Sequence, residues 1–160
     1  MSRPFNFFFF FFWLLAANSL SAQTTYNQYC NARFGFCVSY PSTFKAQGES
    51  DNGDGQEFIS SDRKASLLVY RDGRDAIYES EYACKNQSFL SDVTSDETKK
   101  VTYKKMGDRF YVVSGYEGSS IFYQKTIFTS EGMMTAIFTY PTSQKIKYDS
   151  YCVKVFETFK

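Results

Sequence analysis

Cys30, Cys37, Cys84 and Cys152 are the residues of this chain with the widest chemical choice. Thiols can bind a metal, exchange disulfides or form structural cross-links. A structural zinc site places ligands about two to four residues apart and commonly adds histidine. No two of these cysteines lie that close, and the chain has no histidine. A Cys-x-x-Cys motif for redox exchange is also missing. Disulfides are left, with three connectivities possible for four cysteines.

Other polar constellations fall short of a reaction centre. The stretch Asp51-Asn52-Gly53-Asp54-Gly55-Gln56-Glu57 concentrates carboxylates in a glycine-rich loop, as calcium sites do. Gly53 and Gly55 stand where an EF-hand needs its third and fifth ligands, and Asp62 replaces the closing glutamate. The stretch therefore reads as a solvated turn entering a strand. Asp72-Gly73-Arg74-Asp75 reads as a turn and a charged helix start, with Asp75 complementing the helix dipole. Glu79 and Glu81 point to different sides of a helix and make no acid and base couple. Ser114, Ser119 and Ser120 lack a Gly-x-Ser-x-Gly setting and have no imidazole to activate them. We assign no catalytic, metal-ligating or cofactor-binding residue on these grounds, and no cofactor is expected.

Tyrosine is the enriched type, with 13 residues. Its rigid ring and polar tip suit a recognition surface, although sheet strands use it readily for packing alone. Lys99-Lys100 and Lys104-Lys105 alternate with Val101, Tyr103 and Met106, as on a solvated sheet edge where lysine discourages further strand pairing.

The elements that position these residues begin after an N-terminal segment of different character. Met1-Ser2-Arg3-Pro4 precedes an apolar run over residues 7–17, followed by Asn18, Ser19, Leu20, Ser21 and Ala22. That is the three-part layout of a secretory signal peptide. As a helix the run covers about 16 Å, against about 30 Å of bilayer hydrocarbon. We expect a leader over residues 1–22, cleaved after Ala22 or after Ser21, and one domain over residues 23–160. The mature chain has no second apolar stretch of spanning length and is expected in the periplasm or outside the cell, where an even cysteine count implies disulfides. Seven of the 18 Phe, the sole Trp and one of the 18 basic residues belong to the leader, leaving 11 Phe and 13 Tyr, with 17 basic residues against 17 acidic. A neutral chain gives no electrostatic reason to expect nucleic acid as a partner.

Along the mature chain, residues 23–28 are polar and read as frayed, Asn31 to Arg33 as a turn from a short strand, and residues 34–40 as a strand stopped by Pro41. Residues 57–60 and 66–70 form a hairpin. Residues 75–90 suit one side of a helix, and residues 98–106, 110–116, 120–129 and 133–140 form a meander with glycine-containing turns. Pro141-Thr142 offers a stop and a cap for a last helix, whose apolar stripe is Tyr148, Tyr151, Cys152, Val155, Phe156 and Phe159. Phe110-Tyr111-Val112-Val113 is apolar at successive positions, so that strand is expected to be buried on both faces and central. The sum is an α+β fold: an antiparallel sheet of about six to seven strands, helices on its faces, one hydrophobic core. These positions favour Cys30 with Cys37 and Cys84 with Cys152, the second pair only if the two helices lie close together. By loop entropy the long link would stabilise by about 4 kcal/mol and the short one by about 2.5 kcal/mol.

The run Phe34-Gly35-Phe36-Cys37-Val38-Ser39-Tyr40-Pro41-Ser42-Thr43-Phe44 resembles the opening of the Mog/PsbP-like superfamily, in which an aromatic-Gly-Phe strand enters Tyr-Pro and a further aromatic. The order of hairpin, helix, meander and terminal helix is similar too, ending here in Val155-Phe156-Glu157-Thr158-Phe159. Small exported bacterial proteins of unassigned role are also similar, at Arg33 to Phe36, Asn52 to Gly55 and Ile121 to Tyr123. The resemblance implies an α/β/α domain serving as an accessory or binding module. Photosynthetic members act at a manganese and calcium centre, but their metal-binding histidine has no counterpart here. The expected function is a secreted or periplasmic non-enzymatic domain that binds an envelope protein or a small apolar ligand. The competing expectation is a small hydrolase or isomerase using carboxylate and Tyr groups, which a cleft with convergent, perturbed Asp, Glu or Tyr would favour.

Overall fold

Alternating apolar residues separated by tight turns dictate most of the fold. The computed structural model describes residues 24–77, 79–94 and 96–160, and the expected leader lies outside them. Among the described residues nine strands form two sheets. In the smaller, β1 (Tyr26–Cys30) pairs antiparallel with β2 (Cys37–Pro41), in a register that sets Cys30 opposite Cys37. The larger contains β3 (Phe44–Glu49), β4 (Gly55–Ser60), β5 (Ser66–Asp72), β6 (Lys99–Met106), β7 (Phe110–Glu117), β8 (Ser120–Thr129) and β9 (Gly132–Pro141). Its order is β3-β4-β5-β9-β8-β7-β6, antiparallel throughout. Among the described residues there are two α-helices of 14 residues, α1 (Glu81–Thr94) and α2 (Lys145–Thr158).

The α+β architecture follows the expectation, with several corrections. The short strand expected before the Asn31–Arg33 turn is β1, and it begins at Tyr26, so residues 26–28 are strand and not frayed. Phe44–Glu49, unassigned from sequence, is the far edge of the large sheet, exposed at every position except Phe44. The helix expected from residue 75 starts at Glu81, where the Ser80 hydroxyl accepts from Ala83 N at 3.1 Å. Residues Gly73–Ile77 form a separate 3-10 turn. Thr142 does not cap α2; its hydroxyl and amide both donate to Ser119 O, and α2 begins at Lys145.

The strand β7 is buried on both faces through Tyr111, Val112 and Val113, yet it is next to the edge, and β9 holds the centre. Its double burial arises because α1 lies over one face and residues on β8 and α2 surround the other. Consequently there are two clusters instead of one core. Cys84 joins Tyr111, Val113, Phe122, Phe128 and Met133 on the α1 face. On the opposite face Phe58, Leu67, Phe138, Tyr148, Val155 and Phe156 pack beneath α2 and the small sheet. Tyr40 stacks on Phe58 there with centroids 4.1 Å apart.

The far end of α2 is fixed to the small sheet. Thr158 Oγ1 accepts from Ser39 N at 2.8 Å, and Cys37 and Lys160 exchange backbone hydrogen bonds. Gly35, with φ of 71°, permits the tight turn between β1 and β2, which the Asn31 side chain organises by accepting from Arg33 N and Phe34 N.

Candidate functional site

Directly paired residues share a face, so one rung across the sheet runs Tyr103, Ser114, Tyr123, Phe138, Leu67 and Phe58, and the next runs Lys105, Val112, Lys125, Ala136 and Val69. Both rungs face α2. The helix covers them over β9 and β8, and the small sheet covers them over β4. Towards β7 and β6 the cover ends, and a cleft of about 650 Å³ opens between α2 and the outer strands. That volume is in the range of small-molecule sites.

Val112, Ile121 and Tyr123 floor the cleft, Cys152, Val153 and Phe156 form its helical wall, and Tyr103 and Tyr116 stand at its mouth. The outer strand is shaped for this position. β6 carries a bulge between Val101 and Tyr103, and at Gly115 opposite it a Cβ would come within 2.0 Å of Lys100 O. A residue with a side chain at 115 would push the edge strand away.

Polar groups in the cleft are anchored. Tyr140 donates to Asp149 Oδ1 at 2.8 Å, and Asp149 also pairs with Lys145 one turn earlier. Lys125 Nζ donates to Phe156 O at 2.9 Å and Phe159 O at 3.2 Å, thereby occupying carbonyls of the last turn of α2. Burial lowers the pKa of Lys125. Burial also raises Tyr123 and Tyr140, the latter with help from its bond to Asp149, and pushes the Cys152 thiol up to about 12. These phenols and this thiol stay neutral at physiological pH. The cleft does bring perturbed Tyr residues next to a carboxylate, the pattern named for an enzyme, but the shifts move both phenols away from proton transfer near neutrality.

The second polar cluster lies on the opposite face. Arg74 donates to both oxygens of Asp72 and both of Asp92, with ion-pair distances of 2.7 Å to each. Asp92 Oδ2 also accepts from Tyr111 at 2.5 Å and Gln124 at 2.6 Å. Thr126 and Thr135 share a hydrogen bond of 2.9 Å beside them. Burial opposes the Arg74 charge, but its hydrogen bonds to Asp92 and Asp72 outweigh that and its pKa is raised. Burial and the neighbouring Asp92 raise Tyr111 as well. Both carboxylates accept several charge-assisted hydrogen bonds, so the cluster ties α1 to the sheet.

The remaining residues singled out from sequence fall as follows. Cys30 and Cys37 form a disulfide. Cys84 and Cys152 are free and buried in separate clusters on opposite faces, so the expected Cys84–Cys152 link is corrected: the sheet lies between them. Asp54, from the acidic loop, accepts from Ser50 and Asn52, and Gly53 O accepts from Asn31. Among the described residues no three of His, Cys, Asp and Glu converge as metal ligands. Asp72 and Arg74 belong to the ionic cluster and not to a solvated turn. The tyrosines divide: Tyr111 and Tyr148 are buried, Tyr103, Tyr116 and Tyr123 are at the cleft, and Tyr140 is buried and also lines it. The one sequence signal for the ionic cluster is Gln124, Thr126 and Thr135, polar residues alternating within otherwise apolar strands.

No family model and no curated protein matches the chain by sequence. In structure it is similar to the solution structure of cyanobacterial PsbP (CyanoP) from Synechocystis sp. PCC 6803, with a TM-score of 0.59 and 10% identity over 91% of this chain and 98% of that chain. At this identity the likeness is one of architecture: the chain has a PsbP-like fold.

Proposed function

We propose that the protein is an exported, non-enzymatic binding domain that takes a small apolar ligand in the cleft between α2 and strands β6 to β8. The single observation that carries this reading is the cleft itself: a ligand-sized cavity with an apolar floor and tyrosines at its mouth, in which burial raises the Tyr123 and Tyr140 phenols away from neutrality. Export is supported by the signal-peptide layout of residues 1–22 and by the Cys30–Cys37 disulfide.

Titration with N-phenyl-1-naphthylamine, an uncharged fluorescent probe, tests the cleft. Saturable binding at one site is expected, with at least a tenfold loss, about 1.4 kcal/mol, in Tyr123→Ala and little change in Phe89→Ala on the α1 face. Loss confined to Phe89→Ala, or no saturable binding, contradicts the reading. The intact mass of the exported protein tests the rest: a chain beginning at Gln23 with two alkylatable thiols is expected, and a retained leader or four free thiols contradicts it.

A further inference from the structure

The charges in the cleft do not balance. Of its two carboxylates, Asp149 is paired with Lys145, and Glu157 lies 4.0 Å from Lys154 on the same helix. Lys105 and Lys125 also line it, and among the described residues neither pairs with a carboxylate. They belong to one rung, on either side of Val112, so their side chains leave the same face of the sheet. Both ammonium groups stand near the ring of Phe110, at 5.9 Å and 6.0 Å from its centroid. Lys125 spends two of its three protons on carbonyls of α2, which fixes its position and leaves one donor. Lys105, on the exposed edge strand, is free to swing towards the same point.

We propose that the occupant of this cleft is a free small amphipathic anion, with its apolar or aromatic body against Val112, Ile121 and Tyr123 and its acidic group between Lys105 and Lys125. The proposal rests on the binding reading above and adds the charge of the ligand to it. Lys125 is half-buried and without a counter-ion, so solvent screens it less than an exposed lysine and it favours an anionic group more strongly; Lys105 is exposed and adds a second charge at the mouth. A cleft of about 650 Å³ bounded by a helix and a sheet matches one small molecule and has no flat face for a bilayer.

Two probes with the same ring system separate the claims. 8-Anilino-1-naphthalenesulfonate is anionic, and N-phenyl-1-naphthylamine lacks the sulfonate. The anionic probe is expected to bind about tenfold more tightly at low salt and to lose most of that advantage in Lys105→Glu, with a much smaller change for the neutral probe. Lys64→Glu, the same charge change in the exposed turn between β4 and β5, serves as the control and is expected to leave both affinities in place. Equal affinities for the two probes, or equal losses in Lys105→Glu and Lys64→Glu, overturn the anion proposal while the apolar cleft stands. Failure of both probes overturns the cleft reading itself. Flotation of the protein with vesicles containing phosphatidylglycerol, without binding of the soluble anion, assigns the lysines to a membrane surface and also overturns the proposal.

Discussion

On the α1 face the polar centre is ionic: Arg74, Asp72, Asp92, Tyr111 and Gln124 form a cluster of charge-assisted hydrogen bonds beside the apolar residues under the helix. On the α2 face the centre is aromatic, with Phe44, Phe138, Tyr140 and Tyr148 packed ring against ring at centroid distances of 5.3 to 6.4 Å. Hydrogen bonds to charged groups fix distance and direction, so the first centre has one arrangement. Ring packing is less directional, and a layer built from it can stop partway across a sheet without stranding a polar group. That difference fits the two openings: the larger, about 650 Å³, lies beside α2, and a smaller one of about 330 Å³ lies beside the start of α1, lined by Glu81, Cys84, Phe128 and Met133.

The largest expected effect is in the aromatic centre. Phe138→Ala removes a fully buried ring and is expected to cost about 4 kcal/mol in urea unfolding. On the other face Asp92→Ala leaves Arg74, Tyr111 and Gln124 without their shared acceptor and is expected to cost about 3 kcal/mol, with cleft affinity kept in the folded protein. A loss of affinity matching the loss of stability would show that the two faces are not separable. Removing the Cys30–Cys37 link by a double Cys→Ala change is expected to cost about 2.5 kcal/mol by loop entropy, again with affinity kept, because the small sheet lies over β4 and away from the cleft.

The smallest effect at neutral pH is titration. Burial raises Cys152 from 9.0 to about 12 on the α2 face and Tyr70 from 10.0 to about 12 on the α1 face. Both groups are neutral in the fold and ionise earlier when unfolded, so their contribution is complete below pH 9 and is lost as pH rises towards 12. A urea midpoint that is level up to pH 9 and falls above it is expected from these groups, with a later onset in Cys152→Ala. A midpoint rising across that interval would contradict their burial.

Legibility in the sequence followed the range of the interactions. The meander was readable because each turn carries its glycine and each strand its alternation, and β8 has the bounds read for it, Ser120–Thr129. The stripe from Tyr148 to Phe159 marked α2, since a helix over an apolar sheet needs one wide face. α1 was placed too early because its buried side chains are few, Cys84 and Ser88, and because ion pairs of Arg71 with Asp75 and Arg74 with Asp72 hold residues 73–77 in a separate turn. β3 escaped notice because an edge strand with one buried side chain has no alternation to show. Asp72 and Arg74 looked solvated because Asp92, 18 residues beyond Arg74, meets them only when α1 docks. Of the cleft, the tyrosines and the edge lysines were visible as types, while the cavity depends on where α2 stops covering the sheet, which no local pattern encodes.

The central claim is that the cleft beside α2, and not the smaller hollow beside the start of α1, receives the ligand. Amide chemical shifts recorded during titration of the folded protein with 8-anilino-1-naphthalenesulfonate test it most directly. The account predicts saturable shifts concentrated in β6, β7, β8 and α2, with Glu81–Thr94 of α1 unmoved. Shifts centred on α1 and its ionic cluster, or none that saturate, would contradict it.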